Sequence, residues 1–152
     1  MKTFKGNTFC MLLLTLLYLL VLGSRPLARG ISLHLPNINQ RVQVHVINRL
    51  VNGNPIFLHC QSHDNDLGTS IVQDGDEVNW SFRVNFWGTT LFYCDVQLEI
   101  DSPIWFHFNV YDANRDHRRC RSECRWMISR EGLLFGYNQE SKNWESFPFT
   151  IA

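Results

Sequence analysis

A second long hydrophobic run is missing from this sequence. The one present extends from Cys10 to Leu22, broken only by Thr15, and its dozen or so residues fall short of the ~20 apolar residues a helix needs to cross a bilayer. Lys2 and Lys5 precede it, and Gly23, Ser24, Arg25 and Pro26 close it, the layout of a cleaved secretory signal rather than of an anchor. Residues 1–30 are therefore read as a signal peptide, cut after Gly23 or after Gly30, and residues 31–152 as one exported domain without stable membrane insertion. Positive charge is also in short supply. The whole chain balances fourteen Lys and Arg against fourteen Asp and Glu, but from Ile31 onward ten face fourteen, a net charge of −4. Phosphate affinity depends on excess cations, so nucleic acid and anionic membranes are poor partners for such a domain.

Catalytic signatures are absent as well. There is no Gly-x-Ser-x-Gly elbow, no His-Glu-x-x-His helix and no phosphate-cradling glycine loop. His34 falls in an N-terminal extension, His45, His59 and His107 have outward parity on strands, and His63 and His117 lie in polar segments. No motif makes any two of them converge on one bond, as acid–base chemistry requires. The only constellation open to a hydrolase is Asp95, Glu99, His107 and Tyr111, so neither an enzyme activity nor a cofactor is expected.

The cysteines are few but informative. Cys10 leaves with the signal, and Cys60, Cys94, Cys120 and Cys124 remain, an even number in a compartment where thiols pair. Two disulfides are expected, with three connectivities open. A zinc site built from His59, Cys60, His63, His117, Cys120 and Cys124 has only loosely ligand-like spacing and strands Cys94. The acidic segments Asp64-Asn65-Asp66 and Asp74-Gly75-Asp76 lack the ligand run of a calcium loop and are good turns in their own right. No metal is expected.

What the sequence does have is alternation. Val78, Trp80, Phe82, Val84 and Phe86 share one parity against Asn79, Ser81, Arg83 and Asn85, the mark of a half-buried strand. Phe92, Cys94, Val96, Leu98 and Ile100 form a second inward set, and Ile104, Phe106, Phe108 and Val110 a third, joined through Asp101-Ser102-Pro103. Val42, Val44 and Val46 predict a strand over 41–50, and Asn52-Gly53-Asn54-Pro55 predicts a turn before a strand over 55–61 that turns Ile56, Leu58 and Cys60 inward. Cys124, Trp126 and Ile128, followed past Glu131-Gly132 by Leu133, Phe135 and Tyr137, read as a hairpin. In the last stretch, Trp144 to Ile151, Pro148 confines the chain to an edge or a bulge. No helical periodicity competes beyond the signal. Seven or eight short strands at roughly ten-residue spacing predict an all-β sandwich or barrel.

Charge is uneven along this framework. Arg115, Arg118, Arg119, Arg121, Arg125 and Arg130 crowd one segment, and Asp64, Asp66, Asp74, Asp76 and Glu77 another. Such clusters are solvated loops or recognition surfaces. Asn79-Trp80-Ser81 is the one N-glycosylation sequon, with Asn79 on the polar side of its strand. Outward Tyr93, Trp105 and Tyr111 form the platform that a sugar-binding module would need.

Several segments together resemble the plant self-incompatibility S-protein homologue family. They are Leu58-His59-Cys60-Gln61-Ser62 with Asp64-Asn65-Asp66-Leu67-Gly68, Trp80-Ser81-Phe82, Trp87 through Cys94, Phe108-Asn109-Val110-Tyr111, Cys120 with Cys124-Arg125-Trp126, and Glu131-Gly132-Leu133. The resemblance runs from about Val42 to the terminal strand. It implies a small secreted antiparallel β-sandwich with two disulfides, no catalytic site, and action as a ligand for a membrane protein in rejection of self pollen or a related process. One departure is local: the first acidic cluster reads Asp-Asn-Asp where three acidic residues are common. The expected partner is an extracellular protein, a membrane receptor, met through Asp64 and Asp66 on one loop and Arg115, Arg118, Arg119 and Arg121 on another.

Overall fold

In the computed structural model, residues 12–19, 40–99 and 102–152 are described. The chain divides into two compact units, residues 1–34 and 35–152. In the first, residues 12–19 form a helix, α1, with exposed side chains. No helix among the described residues is long and apolar enough to cross a membrane. Both cleavage positions of the expected signal, together with His34, Ile100 and Asp101, lie outside the described residues.

Among its described residues the second unit contains ten strands: β1 (Arg41–Asn48), β2 (Ile56–Ser62), β3 (Asp66–Val72), β4 (Glu77–Arg83), β5 (Leu91–Gln97), β6 (Phe106–Asp112), β7 (Glu123–Ile128), β8 (Leu134–Asn138), β9 (Asn143–Phe147) and β10 (Thr150–Ile151). One short helix, α2 (Ala113–Arg119), joins β6 to β7. The strands form two five-stranded sheets, ordered β4-β1-β7-β8-β9 and β10-β6-β5-β2-β3. Inward side chains of both, among them Val42, Val44 and Val46 from β1, Leu58 from β2, Val96 from β5 and Trp126 from β7, meet in one core. The count exceeds the expected seven or eight. The expected purely antiparallel arrangement also needs correction, because β1 and β7 pair in parallel, Val44 beside Cys124.

Each miss in the strand reading has a local cause. The expected acidic loop at Asp64 and Asp66 runs into β3, over which alternation predicts no strand. Six of its seven residues are not buried, so it offers no alternation to detect. In β8 the inward parity belongs to Leu134, 1% exposed, and not to Leu133, 51% exposed. The misleading position is Gly136, inward but without a side chain, because a Cβ there would stand 2.7 Å from the Arg119 guanidinium and 3.0 Å from the Trp126 ring. Tyr111, expected outward, is 2% exposed. The β5–β6 register slips between Phe92 and Tyr93, leaving Val110 unopposed, and a bulge of this kind reverses the parity beyond it. Ile104 precedes β6 and is exposed, and Phe86 lies beyond the end of β4.

Pro148 stands between β9, on the edge of one sheet, and β10, on the edge of the other. The two disulfides are Cys60–Cys94 and Cys120–Cys124. The first staples a directly opposed β2–β5 pair with Cα atoms 4.1 Å apart, the second closes the short passage from α2 into β7.

Strand direction sorts the connections into two ends. Pairing fixes strand direction within each sheet, and the bonds joining Asn48 at the end of β1 to Val72 and Gly75 at and just past the end of β3 align the two sheets, so that β1, β3, β5, β7 and β9 run one way and β2, β4, β6 and β8 the other. The β2–β3 turn, the β4–β5 loop, α2 and the β8–β9 turn therefore share one end. Residues 49–55, 73–76 and 129–133 and the β5–β6 connection share the opposite end.

Candidate functional site

The two expected binding segments, one with Asp64 and Asp66 and the other from Arg115 to Arg121, arrive at the same end of the domain, whereas Asp74, Asp76, Glu77 and Arg130 lie at the opposite end, and the structure divides each binding segment. In the β2–β3 turn Asp64 is exposed, and its carboxylate sits 2.7 Å from His63 Nδ1. That hydrogen bond raises the His63 pKa above the usual histidine value. Asp66 opens β3, where it accepts from the Gly68 N–H at 2.8 Å and contacts His59 Nε2 at 2.7 Å. The Gly68 contact first and His59 second hold its carboxyl below the ordinary range. Asp64 is thus the outward-projecting acid, while Asp66 is tied to its own sheet.

The arginine segment is a helix rather than a loop. Asp112 caps it by accepting from the Asn114 N–H at 2.9 Å, and seven residues are too few to show a helical period. Asp116 is completely buried and receives Arg115 Nη2 and Arg119 Nε, both at 2.7 Å. Burial pushes this carboxyl up, but the two guanidinium groups outweigh it and the pKa is lowered. Arg119 lies 4.4 Å from the Trp126 ring centroid and 5.2 Å from that of Phe147, and Arg115 lies 5.3 Å from both. Arg119 also donates to the Tyr137 carbonyl and Arg115 to that of Asn109. Arg115 and Arg119, expected as partner-binding residues, therefore belong to the packing. Arg119 is buried outright, and Arg115 is committed to Asp116. Arg118 and Arg121 are exposed.

Between the acidic turn and the helix, the β4–β5 loop supplies residues that the sequence reading missed. Asn85 to Gly88 is a β-turn closed by the Gly88 N–H on the Asn85 carbonyl at 3.1 Å, with Gly88 at φ +65°. Its two corner positions are Phe86, 62% exposed, and Trp87, 80% exposed, their rings edge to face at 5.1 Å. The available signal was Asn85 followed by Gly88-Thr89-Thr90, turn chemistry that ends the alternation before Phe86. A cleft of about 670 Å³ separates this loop from the β2–β3 turn, lined by His63, Asp64 and Asn65 on one side and Arg83, Asn85 and Thr89 on the other.

The other candidate sets fare differently. Asp95 and His107 do meet, at 2.7 Å across β5 and β6. Tyr111 is withdrawn into the core, where burial pushes its hydroxyl up to about 12, and Glu99 lies past the far end of β5. The same burial takes Tyr111 from the sugar platform, leaving Tyr93 tilted against His107 and a half-buried Trp105. Asn79 is exposed on β4, an edge strand, within 3.5 Å of Gln43 Nε2. Asp116, Cys120 and Cys124 bring potential ligand atoms within 4.8 Å of one another, but both sulfurs are committed to the disulfide and the carboxylate to its arginines.

The profile of the family described as Plant self-incompatibility protein S1 matches residues 43–148, from the first strand to the turn before the last. The chain belongs to that family. Self-incompatibility protein S1 of Papaver rhoeas is 41% identical over 107 residues, 70% of this chain and 75% of that protein. S-protein homolog 5 of Arabidopsis thaliana is 35% identical over 92 residues, 60% and 69% of the two chains. A solved structure, described as that of SPH (Self-Incompatibility Protein Homologue) proteins, a widespread family of small, highly stable, secreted proteins from plants, aligns with TM-score 0.53 at 11% identity. It covers 75% of this chain and 93% of the other, and this likeness concerns the fold.

Proposed function

We propose that this member of the self-incompatibility S1 family is a secreted ligand or modulator of cell–cell signalling, acting in rejection of self pollen or a related reproductive or developmental process. Its place in the family makes it an extracellular protein. On this reading it binds a membrane receptor through the end of the domain that carries the β2–β3 turn, the β4–β5 loop and α2. The observation supporting this most directly is convergence: exposed Asp64, Phe86, Trp87, Arg118 and Arg121 come from three connections that share one end of the two sheets. Loops on a rigid sheet scaffold are where recognition residues accumulate. Opposite charges on separate loops act mainly on encounter rate and choice of partner.

The test is charge reversal at the exposed arginines. The Arg118→Glu/Arg121→Glu protein, titrated onto intact cells of its own tissue, is expected to bind at least tenfold more weakly than wild type, with the deficit shrinking as salt is added. Equal affinity at low salt removes α2 from the binding surface.

A further inference from the structure

We propose that Phe86 and Trp87 are the anchor of this binding surface, and that the partner is a protein offering an apolar pocket bordered by acidic side chains. The proposal rests on the reading of this end of the domain as a receptor-binding surface and names the chemistry of what it binds. Corner positions of a surface β-turn ordinarily hold Gly, Pro or small polar residues. Here they hold two of the largest apolar side chains, and the core does not need either of them. Phe82 already stacks on Phe92 at 4.4 Å and meets Tyr111 edge-on at 4.9 Å, closing the nearby aromatic cluster from within.

The turn is also fixed before any partner arrives. The Asn85 N–H donates to Thr90 Oγ1 at 2.8 Å, Asn85 Nδ2 to Thr89 Oγ1 at 2.9 Å, and the Thr89 N–H returns to Asn85 Oδ1 at 2.9 Å. A rigid turn presenting Trp and Phe loses little conformational freedom on binding, and Trp is among the residue types that dominate interface energetics.

Charge supplies the chemistry of the partner. Arg83 enters the loop and stands opposite Arg41 across β4 and β1. At the exit, the Ala113 N–H bonds the Thr90 carbonyl at 3.0 Å, tying the loop to α2 with its exposed Arg118 and Arg121. Exposed Asp76, Glu77, Glu99 and Glu131 lie at the opposite end. The end with Phe86 and Trp87 also carries exposed Asp64, Glu123 and Glu140, so it is mixed in charge where the far end is mainly acidic, and its arginines are the groups that an acidic rim around an apolar pocket would meet.

The experiment titrates the fluorescently labelled mature protein onto intact protoplasts of its own tissue, with trypsin-treated protoplasts, phosphatidylcholine vesicles and vesicles containing phosphatidylserine run alongside. Binding is expected to be saturable, abolished by trypsin and weakened severalfold as salt is raised. Trp87→Ala should weaken it at least tenfold and Phe86→Ala severalfold, while Trp87→Phe retains part of the affinity and thermal unfolding does not change. Wild-type affinity in both alanine variants overturns the anchor, and an affinity that does not fall as salt is raised overturns the acidic pocket. Trypsin-resistant binding reproduced on vesicles makes a bilayer the occupant instead. Should Arg118→Glu/Arg121→Glu weaken binding while Trp87→Ala does not, only the anchor falls; absence of saturable wild-type binding removes the receptor reading as well.

Discussion

Within α2 and the residues that follow it, two pairs of arginines have opposite fates. Arg115 and Arg119 converge on buried Asp116 and lie over the rings of Trp126 and Phe147. Arg118 and Arg121, from the same segment, are exposed. Helix geometry accounts for part of the division, since Asp116 and Arg119 are three positions apart and share a face while Arg118 does not. Proximity of like residues in sequence is therefore no guide to a shared role. One pair is a structural element that happens to be cationic, and the other is surface.

The contrast breaks first at Asp116. Removing one partner of a buried ion pair leaves uncompensated buried charge and costs about 3–5 kcal/mol, so Asp116→Ala should lower unfolding stability by that amount in a denaturant titration. A loss below about 1 kcal/mol would mean that the two guanidinium groups find water or other acceptors, and that the inner pair is not structural after all.

Acid probes the same carboxyl without mutation. Its folded-state pKa lies below the ordinary 3.8, so its contribution is fully present above the unfolded-state value and is lost as pH falls through the folded one. Stability should hold down to about pH 4 and decline below it. That decline should be shallower in Asp116→Asn than in wild type. Parallel acid limbs for the two proteins would place the acid sensitivity elsewhere, for instance at Asp74, whose carboxyl is lowered by the N–H groups of Gly53 and Val51.

Gly136 tests the packing around the inner pair. A Cβ there would come within 2.7 Å of Arg119 Nη1, 2.9 Å of the Phe147 ring and 3.0 Å of Trp126. Arg119 is held by Asp116 and the Tyr137 carbonyl and cannot swing aside freely. Gly136→Ala should cost about 1–3 kcal/mol, the usual penalty for overpacking a filled core. A neutral result would show that the guanidinium can yield.

Much of this could be read from the residues, and each failure has its own physical cause. Period-two alternation located β1, β2, β5 and β7 because their inward positions carry Val, Leu, Cys and Trp side chains that a pattern can register. It misplaced β8 because the decisive inward residue is a glycine, and it misread Tyr111 because a bulge in β6 inverts parity without a sequence mark. The acidic and basic loops were found as candidates. Charge alone did not disclose that Arg115 and Arg119 turn inward, although the Arg-Asp-x-x-Arg spacing from Arg115 to Arg119 was visible. Phe86 and Trp87 were missed for the opposite reason. Phe86 continues the parity of Trp80 and Phe82 and looks like core until the strand is known to stop at Arg83, and Trp87 stands on the other parity.

The outer pair gives the smallest effect and sharpens the comparison most. Surface substitutions away from packing and hydrogen-bond networks change stability by no more than about 0.5 kcal/mol, so Arg118→Gln/Arg121→Gln should unfold within that margin of wild type. Glutamine keeps the length of the side chain and avoids placing an acid at the C-terminal turn of α2, where the helix dipole disfavours negative charge. If the double variant is as stable as wild type but its affinity for cells falls and loses its salt dependence, the two arginine pairs are separated by a single measurement set. A stability loss comparable to that of Asp116→Ala would instead join all four into one structural cluster, and the recognition role would pass from α2 to the β4–β5 loop alone.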